Sequence, residues 1–183
     1  MAQPKITEDQ LDGVIKEGKH TIWVPGHAMF PNTANSPDFE PAVDVGGLTD
    51  FDVWEFDDTV DQFLRFFIQM PASWDGGNLV VQYVWEIDSA SGAVVWRTGC
   101  SSATNGEDFS TLSYTSLTST TSGADKINIS GESTITPSGS PSGEHLMFFE
   151  MGRHATSGSD TIASKAVLVG MKIHYTVDEG NDD

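Results

Sequence analysis

The sequence predicts an all-β protein, an antiparallel β-sandwich of jelly-roll type with about eight strands and a short N-terminal arm. Apolar residues alternate with period two over short segments, as in strands that have one face on a core. Clusters of Gly, Pro, Asn, Asp and Ser separate these segments. Long apolar stripes with helical spacing are missing from the sequence, which argues against a parallel α/β fold. Long crossing loops favour a jelly roll over a meander barrel.

The chain begins with a segment, residues 1–19, that we interpret as an arm. Thr7 is a suitable N-cap for a short helix there, and Glu8 and Asp9 would follow in its first turn, where the helix dipole favours anions. Apolar residues recur near helical spacing and form a narrow stripe suited to docking on a neighbour. A frayed terminus explains the same segment equally well. The shell-contact or subunit-contact candidates in this stripe are Ile6, Leu11, Val14 and Ile15.

The sandwich domain is predicted over residues 20–177, followed by an acidic C-terminal tail at 178–183. Residues 25–50 hold four of the eight prolines and are predicted to form a long ordered loop or a meander. The Ser/Thr-rich stretch at 101–121 is compatible with exposed strands. One helical turn is predicted at 162–166. The predicted strands are 20–24, 51–56, 63–70, 78–87, 93–101, 125–136, 144–151 and 167–176.

The charge composition excludes several classes of partner. The 183 residues include 27 Asp and Glu against 9 Lys and Arg, a formal net charge of −18 at pH 7. Nucleic acids and anionic membranes require clustered Lys and Arg, so neither is expected as a partner. Solubility is the simplest reason for the acidity, with a basic partner surface or a divalent cation as alternatives. The sequence shows neither a membrane-length apolar run nor a secretory signal, so synthesis in a host cytoplasm is expected.

Motifs of common enzymes and cofactor sites are missing from the sequence. It contains no nucleotide-binding glycine loop, no HExxH motif and no cysteine pair, so we expect no cofactor and no enzymatic activity. Cys100 is the only cysteine and is expected to be a buried structural thiol. The five tryptophans are expected in the core or in a subunit interface. They are Trp23, Trp54, Trp74, Trp85 and Trp96.

An acidic turn after the predicted strand at 51–56 is the candidate for a cation site. Asp57, Asp58 and Asp61 are weak calcium candidates, because their spacing departs from that of dedicated calcium loops. A catalytic carboxylate pair of the glycosidase kind is a further alternative. A solvated polar turn between two apolar strands is the simplest interpretation, so the sequence assigns no metal site.

Four segments of the chain share the patterns of a known protein family. They are TIWVPGHAMFP (21–31), EFDDTVDQFLRFFIQMPASWDGG (55–77), VVQYVWEIDSASGAVVWR (80–97) and SKAVLVGMKIHYTVDEGND (164–182). The family patterns are a W-x-P-x-x-A-M opening, an FD followed by MP-x-x-W-(D/N)-x-G, and a closing L-x-G-(V/M)-x-(I/L)-x-(Y/F)-T strand. Over most of residues 20–180 the chain therefore resembles small virion structural proteins of tailed bacteriophages.

The resemblance implies a non-enzymatic β-sandwich protein of the phage particle, and it transfers no catalytic residue to this chain. From it we expect a capsid decoration (cement) protein on the outer head surface. It would bind the major capsid protein or another virion protein as a homotrimer, with the arm reaching the shell or a neighbouring subunit. The alternative is a tail-associated or receptor-binding virion protein that binds carbohydrate, for which Trp74 is the glycan-contact candidate.

Overall fold

Twelve strands form two antiparallel sheets in the computed structural model, which describes residues 18–45, 47–89 and 91–177. Sheet I has the strand order β10-β6-β12-β4-β3, with β1 also paired to β12 and β9 to β6, and sheet II has the order β2-β5-β11-β7-β8. A shared apolar core lies between them, which confirms the predicted jelly-roll-like sandwich. The strands are β1 (Gly18–Pro25), β2 (Phe30–Pro31), β3 (Asp38–Val45), β4 (Leu48–Phe56), β5 (Gln62–Gln69), β6 (Leu79–Ile87), β7 (Ala93–Ala103), β8 (Tyr114–Thr120), β9 (Asn128–Ile129), β10 (Ser133–Ile135), β11 (Leu146–Arg153) and β12 (Ala166–Val177).

Of the loop and the meander predicted for 25–50, the loop is wrong, because the described part of this stretch contains a 3-10 turn at Gly26–Ala28, the strands β2 and β3, and the start of β4. The loop prediction relied on the prolines of this stretch. Pro41 lies in β3 where the register with β4 shifts between Glu40 and Val43. Among the described strands β3 pairs only with β4, and an edge strand tolerates a residue that has no N–H to donate.

Three further differences from the sequence prediction concern the start of β1, a helical turn and a divided strand. β1 begins at Gly18, inside the predicted arm and two residues before the predicted strand at 20–24. The helical turn predicted at 162–166 is wrong, because the carbonyls of Ile162 and Ser164 instead accept hydrogen bonds from Arg153. The predicted strand at 125–136 is divided into β9 and β10 around Gly131.

The rest of the predicted arm and the acidic tail, residues 1–17 and 178–183, lie outside the described residues. Among the described residues there is no helix with the length and apolar character needed to cross a membrane.

Trp96 of β7 is the centre of the contact between the two sheets. Its indole ring stacks on Tyr83 of β6 at a centroid distance of 5.5 Å and meets Phe56 of β4 edge-on at 5.3 Å. Tyr83 is buried and its hydroxyl lies 2.7 Å from Thr98 Oγ1, so its one polar group is hydrogen-bonded across the core. Burial raises the pKa of Tyr83 well above its usual value and keeps the phenol neutral.

A buried ion pair fixes the connection between the sheets. The guanidinium of Arg153, at the end of β11, donates to both carboxylate oxygens of Asp160, at 3.0 and 2.7 Å. It also donates to the carbonyls of Ile162 and Ser164, which hold the segment leading into β12. Both side chains are buried, so each charge depends on the other for compensation.

Replacing Arg153 with Met is expected to destabilise the protein by about 3–5 kcal/mol, since it leaves the Asp160 carboxylate buried without its counter-ion. The measurement is urea unfolding followed by tryptophan fluorescence. Lys165→Met is the control, because Lys165 pairs with Asp38 and Glu55 on the surface and its loss should cost about 1 kcal/mol or less. Equal losses for the two variants would contradict the role given to the buried pair.

Candidate ligand-binding face

The outer face of sheet II carries more apolar surface than a solvent-facing sheet needs. In β5, Leu64 and Phe66 are buried in the core, whereas Arg65 and Phe67 alternate with them on the other side. In β11, Phe148 lies directly opposite Phe67 in the register, on that same outer side. Solvent-facing positions in antiparallel sheets are normally polar, so exposed phenylalanines here indicate a contact surface.

Four phenylalanines meet on this face, and we call them the phenylalanine cluster: Phe30, Phe67, Phe109 and Phe148. Phe67 is its hub, with ring centroids 5.9 Å from Phe30, 6.1 Å from Phe109 and 5.3 Å from Phe148. The rings of Phe30 and Phe67 are inclined by only 24°. Phe30, Phe67 and Phe109 are each exposed, although Phe67 contacts both of the others, and Phe148 is half-buried. The cluster therefore presents a continuous aromatic surface to solvent.

Phe109 reaches the cluster from the loop between β7 and β8, which folds over the end of the sheet. Ser110 N donates to Ser101 Oγ at 2.9 Å and ties this loop to β7. Within the loop, Glu107 N donates to the Thr104 carbonyl at 3.0 Å and Thr104 N to Glu107 Oε2 at 3.1 Å. These bonds form a closed turn that positions Phe109 beside the strands.

A charged network lies beside the aromatic rings, centred on the buried carboxylate of Glu150. Arg65 Nε donates to Glu150 Oε2 at 2.7 Å, Asn32 Nδ2 donates to the same oxygen at 3.4 Å, and the Tyr114 hydroxyl donates to Oε1. The Arg65 guanidinium also lies 5.8 Å from the Phe148 ring centroid. Burial, followed by the hydrogen bond to Glu150, raises the pKa of Tyr114 and keeps it a neutral donor.

Arg97 extends this network toward the other end of the face. Its guanidinium lies 4.5 Å from the centroid of Phe63 and 5.2 Å from that of Tyr114, within the range of cation–π attraction. It also pairs with Asp61 at 3.3 Å. Arg65 and Arg97 are therefore both held by a carboxylate and by aromatic rings, which fixes the positions of the surrounding side chains.

A cleft of about 320 Å³ opens beside the phenylalanine cluster. Phe109 and Leu146 supply its apolar wall, and both are exposed. Its polar wall includes the Gln69 amide and the loop residues Thr104 and Asn105. Carboxylates of Glu107 and Glu144 complete the lining. A cleft with one aromatic side and one side of amides and hydroxyls suits a ligand that is itself partly apolar and partly hydroxylated.

The structure overturns the glycan-contact role predicted for Trp74. This side chain is 2% exposed, belongs to the core cluster and forms a β-bridge with Val177. This bridge and the hydrogen bond from Asp75 N to the Thr176 carbonyl hold the turn after Trp74 against the end of β12. Trp74 therefore contributes to stability and has no surface for a ligand.

The acidic turn does not gather the three calcium candidates into one site. Asp57 Oδ1 accepts from the backbone and the hydroxyl of Thr59, at 2.7 and 2.5 Å, and these bonds lower the pKa of Asp57. Asp61 accepts instead from Thr156 and pairs with Arg97. Throughout residues 18–45, 47–89 and 91–177, no three His, Cys, Asp or Glu side chains form a potential metal site, Asp58 included.

The remaining sequence predictions concern burial. Cys100 is buried in the core, and burial raises the pKa of its thiol to about 12, as expected of a structural cysteine. Four of the five tryptophans are buried, which confirms their predicted place in the core. Trp23 is the exception and is 45% exposed, with its ring lying over Gly170. The docking stripe of the arm, Ile6, Leu11, Val14 and Ile15, lies outside the described residues.

The phenylalanine cluster was not predicted from the sequence, although the sequence contains a signal for it. In FLRFFIQ of β5 and LMFFEM of β11, two adjacent phenylalanines place one aromatic ring on each side of the sheet. A strand with a single buried face does not need the outward ring. Phe109 carried no comparable signal, because its contact depends on the path of a loop.

Comparisons with known proteins give similarities of fold alone. A scan of family models and a search of curated proteins each found no match. Among solved structures, the C-terminal CBM6 of LamC, a marine laminarinase from Zobellia galactanivorans, is 14% identical with a TM-score of 0.45, covering 84% of this chain and 98% of that one. The CBM22-2 xylan-binding domain from Paenibacillus barcinonensis Xyn10C is 10% identical with a TM-score of 0.47, covering 81% and 92%. CBM35 from Cellvibrio japonicus Abf62 is 9% identical with a TM-score of 0.46, covering 84% and 92%.

Replacing Trp74 with Ala is expected to destabilise the protein by about 3–5 kcal/mol, because it leaves a large cavity in the core. Phe67→Ala is the matched comparison and should cost about 1 kcal/mol, since its ring is only half covered. Both values come from urea unfolding followed by circular dichroism. A Trp74→Ala protein as stable as Phe67→Ala would show that the ring does not fill the core.

Proposed function

We propose that this chain is a non-catalytic, carbohydrate-binding protein of a tailed-phage particle, and that the outer face of sheet II binds the glycan. One observation carries the proposal. Exposed phenylalanine rings on sheet II adjoin a cleft lined by Gln69 of β5 and by Thr104 and Asn105 of the loop between β7 and β8. The proposal favours a receptor-binding protein over a head decoration protein. It assigns the glycan contact to the phenylalanine cluster instead of Trp74.

The chemistry of a sugar matches this arrangement. A pyranose ring has apolar C–H faces, which stack on aromatic rings, and an equator of hydroxyl groups, which hydrogen-bond to amides and hydroxyls. The phenylalanines supply contact area without a directional bond. Gln69 Nε2 already donates to the Glu144 carbonyl, so its second amide hydrogen and its amide oxygen, together with the Asn105 amide, would orient the sugar. Arg65 Nε and the Tyr114 hydroxyl already donate to the Glu150 carboxylate, so these two groups stabilise the surface beside the rings.

The assignment to a phage particle rests on the sequence resemblance. Several residues that carry it are structural in this chain: Met29, Met70 and Trp74 are all buried in the core. The shared patterns therefore describe a scaffold. The binding activity belongs to the outer face of sheet II, whose exposed residues the scaffold does not require.

The Phe67→Ala variant is expected to bind carbohydrate about tenfold more weakly than the wild type, because most of the free energy from covering a half-exposed Phe ring is lost. The measurement is binding to an array of bacterial surface polysaccharides and neutral oligosaccharides, followed by calorimetry on the strongest hit. Phe39→Ala is the matched control, since Phe39 is 47% exposed on sheet I and Phe67 is 48% exposed on sheet II. The control variant should bind like the wild type.

Two results would contradict the proposal. One is a folded wild-type protein that binds no carbohydrate on the array. The other is binding that Phe39→Ala weakens and Phe67→Ala leaves unchanged, which would move the site to sheet I.

A second candidate function, capsid decoration as a homotrimer, is favoured by a different surface. The hairpin of β3 and β4 exposes the apolar side chains Phe39, Leu48 and Phe51, and Leu48 is 65% exposed. Apolar groups on the edge of a sheet are suited to contact with another protein chain. Under this candidate the hairpin would join subunits and the arm would reach the shell.

Deleting residues 2–17 tests the decoration role without cutting β1, which begins at Gly18. If the protein decorates the head, the shortened chain should keep the wild-type melting temperature and lose binding to purified particles that lack the protein. Co-sedimentation with such particles measures the binding, and the full-length chain is the control. Undiminished binding by the folded, shortened protein would exclude the arm as the shell contact.

A further inference from the structure

The phenylalanine cluster extends across the strands of sheet II. A ligand that covers all of its rings must therefore be elongated in the same direction. We infer that the site takes a neutral, linear glycan chain, laid across β11, β5 and β2 with successive sugars on Phe148, Phe67 and Phe30. The inference rests on the carbohydrate-binding function proposed above and deepens it by naming the class of glycan.

The spacing of the rings argues for a chain rather than a single sugar. Adjacent centroids are 5.3 Å apart from Phe148 to Phe67 and 5.9 Å apart from Phe67 to Phe30, close to the length of one hexose unit in a linear chain. The three rings belong to consecutive strands of the sheet. A monosaccharide would cover only one of them and leave the rest of the aromatic surface in water.

The row ends at the edge of sheet II as the described strands form it. β2 is the outermost of these strands, and the Phe30 ring is 41% exposed there. At the other end, Phe148 contacts Phe109 at 5.7 Å, and Phe109 lines the cleft with Gln69. A chain can therefore continue past Phe30, while the cleft supplies hydrogen bonds at the opposite end. This arrangement suits an internal stretch of polysaccharide.

The charges at the site argue for a neutral ligand. Arg65 is held by Glu150 at 2.7 Å, and Arg97 is held by Asp61 at 3.3 Å, so each guanidinium already has a carboxylate partner. The cleft itself is lined by the carboxylates of Glu107 and Glu144. An anionic sugar would meet like charges in the cleft, and the nearest cations already have their charge balanced by a carboxylate.

Oligosaccharide length separates this inference from the proposed function. Calorimetry would use neutral gluco-, xylo- and manno-oligosaccharides from disaccharide to hexasaccharide, with oligogalacturonates as anionic probes. For the wild type, affinity should rise from disaccharide to tetrasaccharide in at least one neutral series and then level off. In the Phe30→Ala variant, tetrasaccharide affinity should fall about fivefold while disaccharide affinity stays unchanged. Phe51→Ala is the matched control, being 42% exposed on sheet I where Phe30 is 41% exposed on sheet II.

Each other outcome overturns a distinct claim. Equal affinity for short and long neutral oligosaccharides, or a Phe30→Ala variant that keeps the full gain with length, would overturn the row of sugar contacts and leave carbohydrate binding intact. Tighter binding of oligogalacturonates than of every neutral series would overturn the neutral ligand. Failure of the folded protein to bind any of these probes would overturn both the inference and the proposed function.

Discussion

The register of sheet II, fixed by packing of its inner face, is the constraint on which the rest of the structure depends. Phe149 stacks on Phe66 at 4.8 Å inside the core, and Trp96 meets the aromatic rings of sheet I. Because side chains alternate along a strand, a slip of one residue would move these rings out to solvent. The same register sets Phe148 opposite Phe67 on the outer side. The arrangement of the phenylalanine cluster is thus a consequence of core packing.

Two arginine–carboxylate pairs serve this constraint in different ways. Arg153 and Asp160 are both buried and tie the segment before β12 to the end of β11. Arg65 is partly exposed and holds Glu150 on the outer face, where Tyr114 also donates to that carboxylate. The Arg153–Asp160 pair joins the last strand of one sheet to the segment that enters the other sheet. The Arg65–Glu150 pair holds polar side chains in place among the aromatic rings on the outer face of sheet II.

The sequence was sufficient for the fold class and for most strands, because period-two alternation and turn residues act locally. The sequence was insufficient for residue types, such as proline and tryptophan, that occur in more than one kind of structural environment. Pro41 suggested a loop but lies at a register shift in an edge strand. Trp74 was predicted in the core or an interface and, under the carbohydrate-binding alternative, as a glycan contact, and the structure places it in the core beside Val177. The site itself required the strand register and the path of the loop carrying Phe109, and both depend on contacts between residues distant in sequence.

The net charge of −18 acts over a longer distance than the phenylalanine cluster does. Together they limit the charge that a partner at the cluster can carry. Charge repulsion reaches about 8 Å at physiological ionic strength, whereas aromatic stacking requires direct contact. A second copy of the chain brings the same negative charge, so self-association through the outer face of sheet II must overcome repulsion before the rings can meet. A neutral glycan meets no such barrier and can approach the rings directly. The acidity of the chain therefore favours a neutral glycan over another acidic surface at the phenylalanine cluster.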